Sequence, residues 1–195
     1  MRAIISSIFM IVFLASPALA DCLIWGDSVG APSDDPSLGA WRYEMTVSWE
    51  NTKHGMSHID LIIDDGLNCS AADLASGLAF PAIGGTGDGE DGCPLQYDGF
   101  LSPDGDPSLG LTQPMIKFEP QAYEGCEGGA TGTAVLVFYS DYPPYPVADH
   151  NLALVEKYSQ YMCVGNLTGV FPALPCSPVA AESGTWSSLK AQYKF

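Results

Sequence analysis

Positive charge is scarce in this chain: seven Lys and Arg stand against 23 Asp and Glu, a formal charge of −16 over 195 residues. Across residues 59–116 there is no Lys, Arg or His, while ten acids fall in the same stretch. Nucleic acid and anionic membrane surfaces carry the same sign and would repel such a surface, so neither is an expected partner. Cations, neutral ligands such as glycans, and basic protein surfaces remain. No C-x-x-C spacing occurs, which excludes thioredoxin-like redox chemistry and a zinc ribbon. Helical periodicity is nearly missing. Outside the first twenty residues no apolar run is long enough to span a bilayer, so no membrane span is expected.

Those first residues have their own pattern. Arg2 is the only charge among them, an apolar run covers 4–14, and Ala18-Leu19-Ala20 supplies a small-residue cleavage site. This is a secretory signal peptide over 1–20. Cys22 is not a lipoprotein cysteine, because Asp21 stands where a small uncharged residue is required. Cleavage also removes Arg2, making the mature charge one unit more negative than −16. Residues 21–195 are then read as one domain, secreted to an extracellular or periplasmic space.

The mature chain reads as strands. Over 40–50, Trp41, Tyr43, Met45, Val47 and Trp49 alternate with polar residues, which buries one face and wets the other. Over 57–64, Ile59, Leu61 and Ile63 share one face and His58, Asp60 and Asp64 the other. A turn at 51–55 would make these two a hairpin. Further strands are expected at 95–101, 115–119, 133–140, 152–158 and 185–193. A short helix capped by Ser70 is expected at 70–79. With Gly and Pro totalling 36 residues between the strands, the fold class is all-β: an antiparallel β-sandwich with disulfides and at most one short helix. The run Asp-Pro-Ser-Leu-Gly occurs at both 35–39 and 106–110, which suggests two similar turns entering strands.

Six cysteines, an even number, all follow the signal and imply a disulfide framework. Six cysteines allow fifteen connectivities. Proximity along the chain favours Cys163–Cys176 and Cys69–Cys93, leaving Cys22–Cys126.

Four patterns could carry chemistry. Acids in glycine-rich loops, Asp88, Glu90 and Asp91 or Asp104 and Asp106, are candidate calcium ligands, since calcium takes six to eight oxygens. The spacing is not an EF-hand, and Asp and Gly are also ordinary turn residues. His54, His58 and Asp60 form a candidate transition-metal set if the turn brings the histidines together. Tyr139, Tyr142 and Tyr145 around a Pro-rich loop could stack on a sugar or a partner.

The fourth pattern is Gly26-Asp27-Ser28-Val29-Gly30, which matches the G-x-S-x-G nucleophile elbow. It also resembles the first block of GDSL-type esterases and lipases. That resemblance implies Ser28 as nucleophile and a late D-x-x-H as acid and base. Here the late histidine is His150, its acidic neighbour is the adjacent Asp149, and the family's G-x-N-D block is missing.

A second resemblance rests on the stretch from Val47 through Asn51 to Ser57-His58-Ile59-Asp60, and on Ile116-Lys117-Phe118-Glu119. These are similar to poorly characterised secreted and surface-anchored β-rich bacterial proteins with a V-x-N…L-S-H strand pair and a later G-[IV]-K-[FW]-[DE] strand. Met56 and Met115 replace the expected Leu and Gly. The resemblance implies an extracellular β-sandwich. The expectation is a secreted, non-catalytic binding or surface-associated module, whose acidic loops are either candidate calcium sites or solvated turns. The alternatives are a small ester hydrolase using Ser28 and His150, or an effector or inhibitor binding a basic protein.

Overall fold

Alternating burial sets the wall of this protein. In the computed structural model, which describes residues 22–62, 72–73, 79–121, 125–156 and 162–174, nine strands carry the chain. They are β1 (Leu23–Pro32), β2 (Trp41–Glu50), β3 (Met56–Ile62), β4 (Ala79–Asp88), β5 (Pro94–Ser102), β6 (Met115–Gln121), β7 (Gly132–Ser140), β8 (Pro144–Glu156) and β9 (Met162–Pro172). The fold is all-β, as expected. The strands join into a single curled sheet in the order β1-β2-β7-β4-β5-β6-β3-β8-β9, closed between β9 and β1, where two stacked sheets had been expected. The signal segment and the strand expected at 185–193 lie outside the described residues. So does most of the expected helix, of which Ala72 and Asp73 are described and helical.

On β2 the predicted alternation holds: Tyr43, Met45, Val47 and Trp49 are buried, while Thr46 is exposed and Arg42, Glu44 and Ser48 are partly exposed. On this strand the apolar side chains face the interior and the polar ones the outside, whereas Leu23, Trp25 and Val29 on β1 and Val164 on β9 are exposed. On the inner face, Tyr43 stacks on its cross-strand partner Phe138 with ring centroids 5.0 Å apart, and Phe138 meets Phe171 of β9 at 5.6 Å. Two of the buried aromatics have their polar ends satisfied, since Tyr43 Oη donates to the Tyr142 carbonyl and Trp49 Nε1 to the Gly129 carbonyl, whereas the buried Tyr97 hydroxyl has no partner. Burial pushes the Tyr43 phenol well above its ordinary pKa. β7 lies between β2 and β4, with Ala134, Leu136 and Phe138 inward and Val135 and Val137 half-exposed.

Two local expectations are corrected. β2 and β3 do not form a hairpin: β2 pairs with β1 and β7, and β3 with β6 and β8. β4 and β9 fall largely where loops were read, because several of their glycines sit at close backbone approaches. A Cβ on Gly85 would strike the Val135 carbonyl, and one on Gly165 the Ile24 carbonyl.

The cysteine pairing is also corrected. Among the described residues the bonds are Cys22–Cys163 and Cys93–Cys126, so none of Cys22–Cys126, Cys69–Cys93 and Cys163–Cys176 forms. Cys22 leads into β1 and Cys163 lies on β9, its parallel neighbour, so residues 141 apart in sequence meet. Cys93 and Cys126 meet where the β4–β5 turn touches the segment before β7, with Glu90 N donating to the Glu127 carbonyl. Cys69 and Cys176 lie outside the described residues.

The β1–β9 seam gives a direct test. Replacing Gly165 by Ala forces a methyl into the Ile24 carbonyl and should cost about 1–3 kcal/mol, as overpacking does. Denaturant unfolding with the disulfides intact should show that loss. Amide exchange should speed up first in β1 and β9, and unchanged exchange there would show that the seam tolerates the methyl.

Candidate functional site

The outer face of β3 is not wet. His58, Asp60 and Ile62 point away from the barrel interior, yet all three are buried, as are Ile59 and Leu61 on the inward face. What covers them is the connection from β5 to β6, residues 103–114, which lies against this face. Ile62 and Met115 pack together beneath it with Leu111. Next to this apolar contact the same loop delivers Asp106 to His58.

Asp106 is aimed by its own turn. Its Oδ1 accepts hydrogen bonds from Ser108 N at 2.9 Å and Ser108 Oγ at 2.6 Å, and the Leu109 and Leu111 amides donate to its carbonyl. Gly105, at φ +78°, sets up the approach, and a Cβ there would strike the Leu111 carbonyl. The first copy of the Asp-Pro-Ser-Leu-Gly run builds the same turn. Asp35 Oδ1 accepts from Ser37 N and Ser37 Oγ, and Leu38 N donates to the Asp35 carbonyl. That copy is exposed, whereas Asp106 is 2% exposed.

With Oδ1 held by Ser108, Asp106 Oδ2 faces the barrel wall. It lies 2.9 Å from His58 Nε2 and 3.1 Å from Lys117 Nζ. Lys117 is the cross-strand partner of Asp60 in the β3–β6 register, and its ammonium also lies 3.6 Å from Glu119. His58 Nδ1 is 3.2 Å from Ser57 Oγ, which fixes the ring from its other side. Asp60 Oδ2 is 3.6 Å from His58 Nε2, and neither Asp60 oxygen has a hydrogen-bond partner although the residue is 0% exposed. Burial alone would raise the Asp106 pKa. The hydrogen bonds from Ser108, Lys117 and His58 outweigh it and hold this carboxyl well below the usual carboxylate range. One imidazole and two carboxylates thus converge with one ammonium as counter-charge.

Among the described residues, there are two places where three His, Cys, Asp or Glu ligand atoms lie within 4.8 Å of one another. The first is His58, Asp60 and Asp106. The second is Cys22, Glu156 and Cys163, whose sulfurs are bonded to each other and so are not free to ligate. The predicted site residues can now be placed. Of His54, His58 and Asp60, the last two converge and His54 is exposed elsewhere. Of Asp104 and Asp106, only Asp106 joins them, and Asp104 is exposed. Asp88, Glu90 and Asp91 are exposed around the β4–β5 turn, a 3-10 turn at Glu90–Gly92 with Asp91 in the left-handed region at φ 59°. Glu90 and Asp91 line a shallow hollow there with Glu127, Pro94 and the Cys93–Cys126 bridge.

Ser28 is not on a strand-to-helix elbow. It sits within the continuous pairing of β1, opposite Met45 on one side and Gly169 on the other, 1% exposed. His150 lies on β8, paired with Leu167, two strands from Ser28 and two positions along. The tyrosines do not form one platform: Tyr142 packs against the core while Tyr145 is exposed. Sequence reasoning missed Asp106 with His58, and Lys117 altogether. The available signal was the repeated turn sequence together with the outward spacing of His58 and Asp60.

The chain matches no protein-family model, no curated protein and no solved structure.

The Asp106 carboxylate implies a pH dependence. Its folded pKa lies below the unfolded value of about 3.9, so its contribution is complete above about pH 5 and is lost as pH falls toward the folded value. With chelator present, the melting temperature of the wild type should fall over about pH 5 to 2 more steeply than that of Asp106→Asn. Parallel curves would show that Asp106 does not carry this linkage.

Proposed function

We propose that this chain is a secreted, non-catalytic binding module that takes a positively charged partner, a basic protein segment above all, on its acidic surface. The observation that carries this reading is the corner beside Cys93–Cys126. The hollow there is lined by Glu90, Asp91 and Glu127, with no basic side chain among its lining residues. A cationic segment would meet charge of opposite sign there. The corner is also held in shape, by the disulfide, by Gly89 N donating to the Cys93 carbonyl and by Glu90 N donating to the Glu127 carbonyl. A charged surface that needs no ordering on binding loses less entropy when a partner arrives.

Secretion is supported by the sequence of the first twenty residues and by the two disulfides, which persist in oxidising compartments. No helix among the described residues is long and apolar enough to cross a membrane. The non-catalytic reading draws on Ser28 lying buried inside a paired strand.

An oligolysine peptide, with a Gly-Ser peptide as control, tests the reading on the immobilised mature protein. Retention of oligolysine should fall as NaCl rises from about 50 to about 500 mM, because screening shortens the reach of these charges. The combined variant Glu90→Gln, Asp91→Asn and Glu127→Gln should weaken retention by roughly tenfold, within the range set by electrostatic complementarity. Equal retention by variant and wild type would remove this corner as the site. Short-chain ester hydrolysis that disappears in Ser28→Ala would overturn the non-catalytic assignment.

A further inference from the structure

The cluster beneath the 103–114 loop holds one group that its neighbours leave unserved. Asp60 is fully buried and both of its oxygens lack a hydrogen-bond partner, although an ammonium faces it in register. Lys117 reaches past it to Asp106 instead. A buried carboxylate with no donor is costly and calls for a cation. The groups around Asp60 are otherwise well held: Ser108 fixes one oxygen of Asp106 and turns the other inward, and Ser57 engages His58 Nδ1 and leaves Nε2 toward the carboxylates. Such outer contacts orient the ligands of metal centres.

We propose that His58, Asp60 and Asp106 form a binding site for a divalent first-row transition-metal ion, with zinc the best match. One imidazole nitrogen and two carboxylate oxygens suit zinc. Calcium prefers more oxygens and no imidazole, and copper(I) prefers sulfur. The spacing fits as well. Tetrahedral zinc with bonds of about 2.0–2.2 Å sets its ligand atoms about 3.3 Å apart. Here His58 Nε2 lies 2.9 Å from Asp106 Oδ2 and 3.6 Å from Asp60 Oδ2. On binding, the metal takes the Nε2 lone pair, and any proton held on that nitrogen leaves to solvent. Lys117 is the resident competitor for Asp106 Oδ2, and Glu119 Oε1, 3.6 Å from its ammonium, offers it a second carboxylate. The site is separate from the acidic corner at Cys93–Cys126, so either reading can fail without the other.

The test uses the mature, disulfide-intact protein, stripped with EDTA, loaded with zinc and dialysed. About one equivalent of zinc should remain, the melting temperature should rise on loading, and millimolar calcium should not displace the metal. Cobalt(II) loading should give the visible absorption of a low-coordinate N/O site. The near-isosteric Asp60→Asn should reduce zinc affinity at least tenfold, whereas Glu90→Gln with Asp91→Asn should leave it unchanged. Lys117→Met should tighten binding several-fold, a change that a purely structural ion network would not produce. If Asp60→Asn does not fold, the cobalt spectrum and zinc stoichiometry of the wild type decide. No retained zinc and no visible cobalt band would overturn the proposal, as would zinc binding lost with Glu90 and Asp91 but kept in Asp60→Asn.

Discussion

A closed ring with an odd number of strands cannot be antiparallel throughout, because alternating directions fail to match at one junction. Here that junction is β1 against β9, the one parallel pairing among those that close the nine-stranded sheet. Much of the structure follows from accommodating it. The two strands approach so closely that Gly165 and Gly169 replace side chains beneath β1, and the Cys22–Cys163 bond ties the seam near its end. Without closure the sheet would present two free edges, each a template for association with other chains. Once closed, the interior accepts one residue in two from each strand, and the aromatic group of Tyr43, Phe138 and Phe171 fills part of it.

Closure also explains where a polar cluster can lie. The interior is largely apolar, and the chain places His58, Asp60 and Asp106 on the outside of the wall, under the 103–114 loop. β3 is consequently buried on both faces, with Ile59 and Leu61 inward and His58 and Asp60 outward. Lys117 arrives from β6 by register and Asp106 by a turn with its own hydrogen-bond plan. The stretches Ser57-His58-Ile59-Asp60 and Ile116-Lys117-Phe118-Glu119 are therefore on neighbouring strands that meet in one cluster.

How much could be read beforehand depended on the local signal. β2 was legible from its strict alternation, and the outward pairing of His58 with Asp60 from their spacing. β4 and β9 were not, because glycine in a sequence signals a turn, and only the fold reveals that Gly84, Gly85 and Gly165 make room for neighbouring backbone. The disulfides were misjudged for a related reason. Nearness in sequence stood in for nearness in space, while closure joins the two ends of the strand order. Asp106 was named among loop acids, but its partners were hidden, since nothing local says that one Asp-Pro-Ser-Leu-Gly turn is exposed and the other covered.

The parallel seam has a consequence for the order of assembly. A chain that emerges N-terminus first presents β1 and β2 early, and they can pair at once because they are adjacent. The other side of β1 must wait until β9 has been made, across a sequence separation of 141 residues between the two bonded cysteines. Contacts of that range form late and slow folding. Throughout that interval Cys22 is an available thiol while Cys93 and Cys126 are already in reach of an oxidant. Efficient maturation therefore calls for a compartment that can exchange mistaken bonds as well as make new ones.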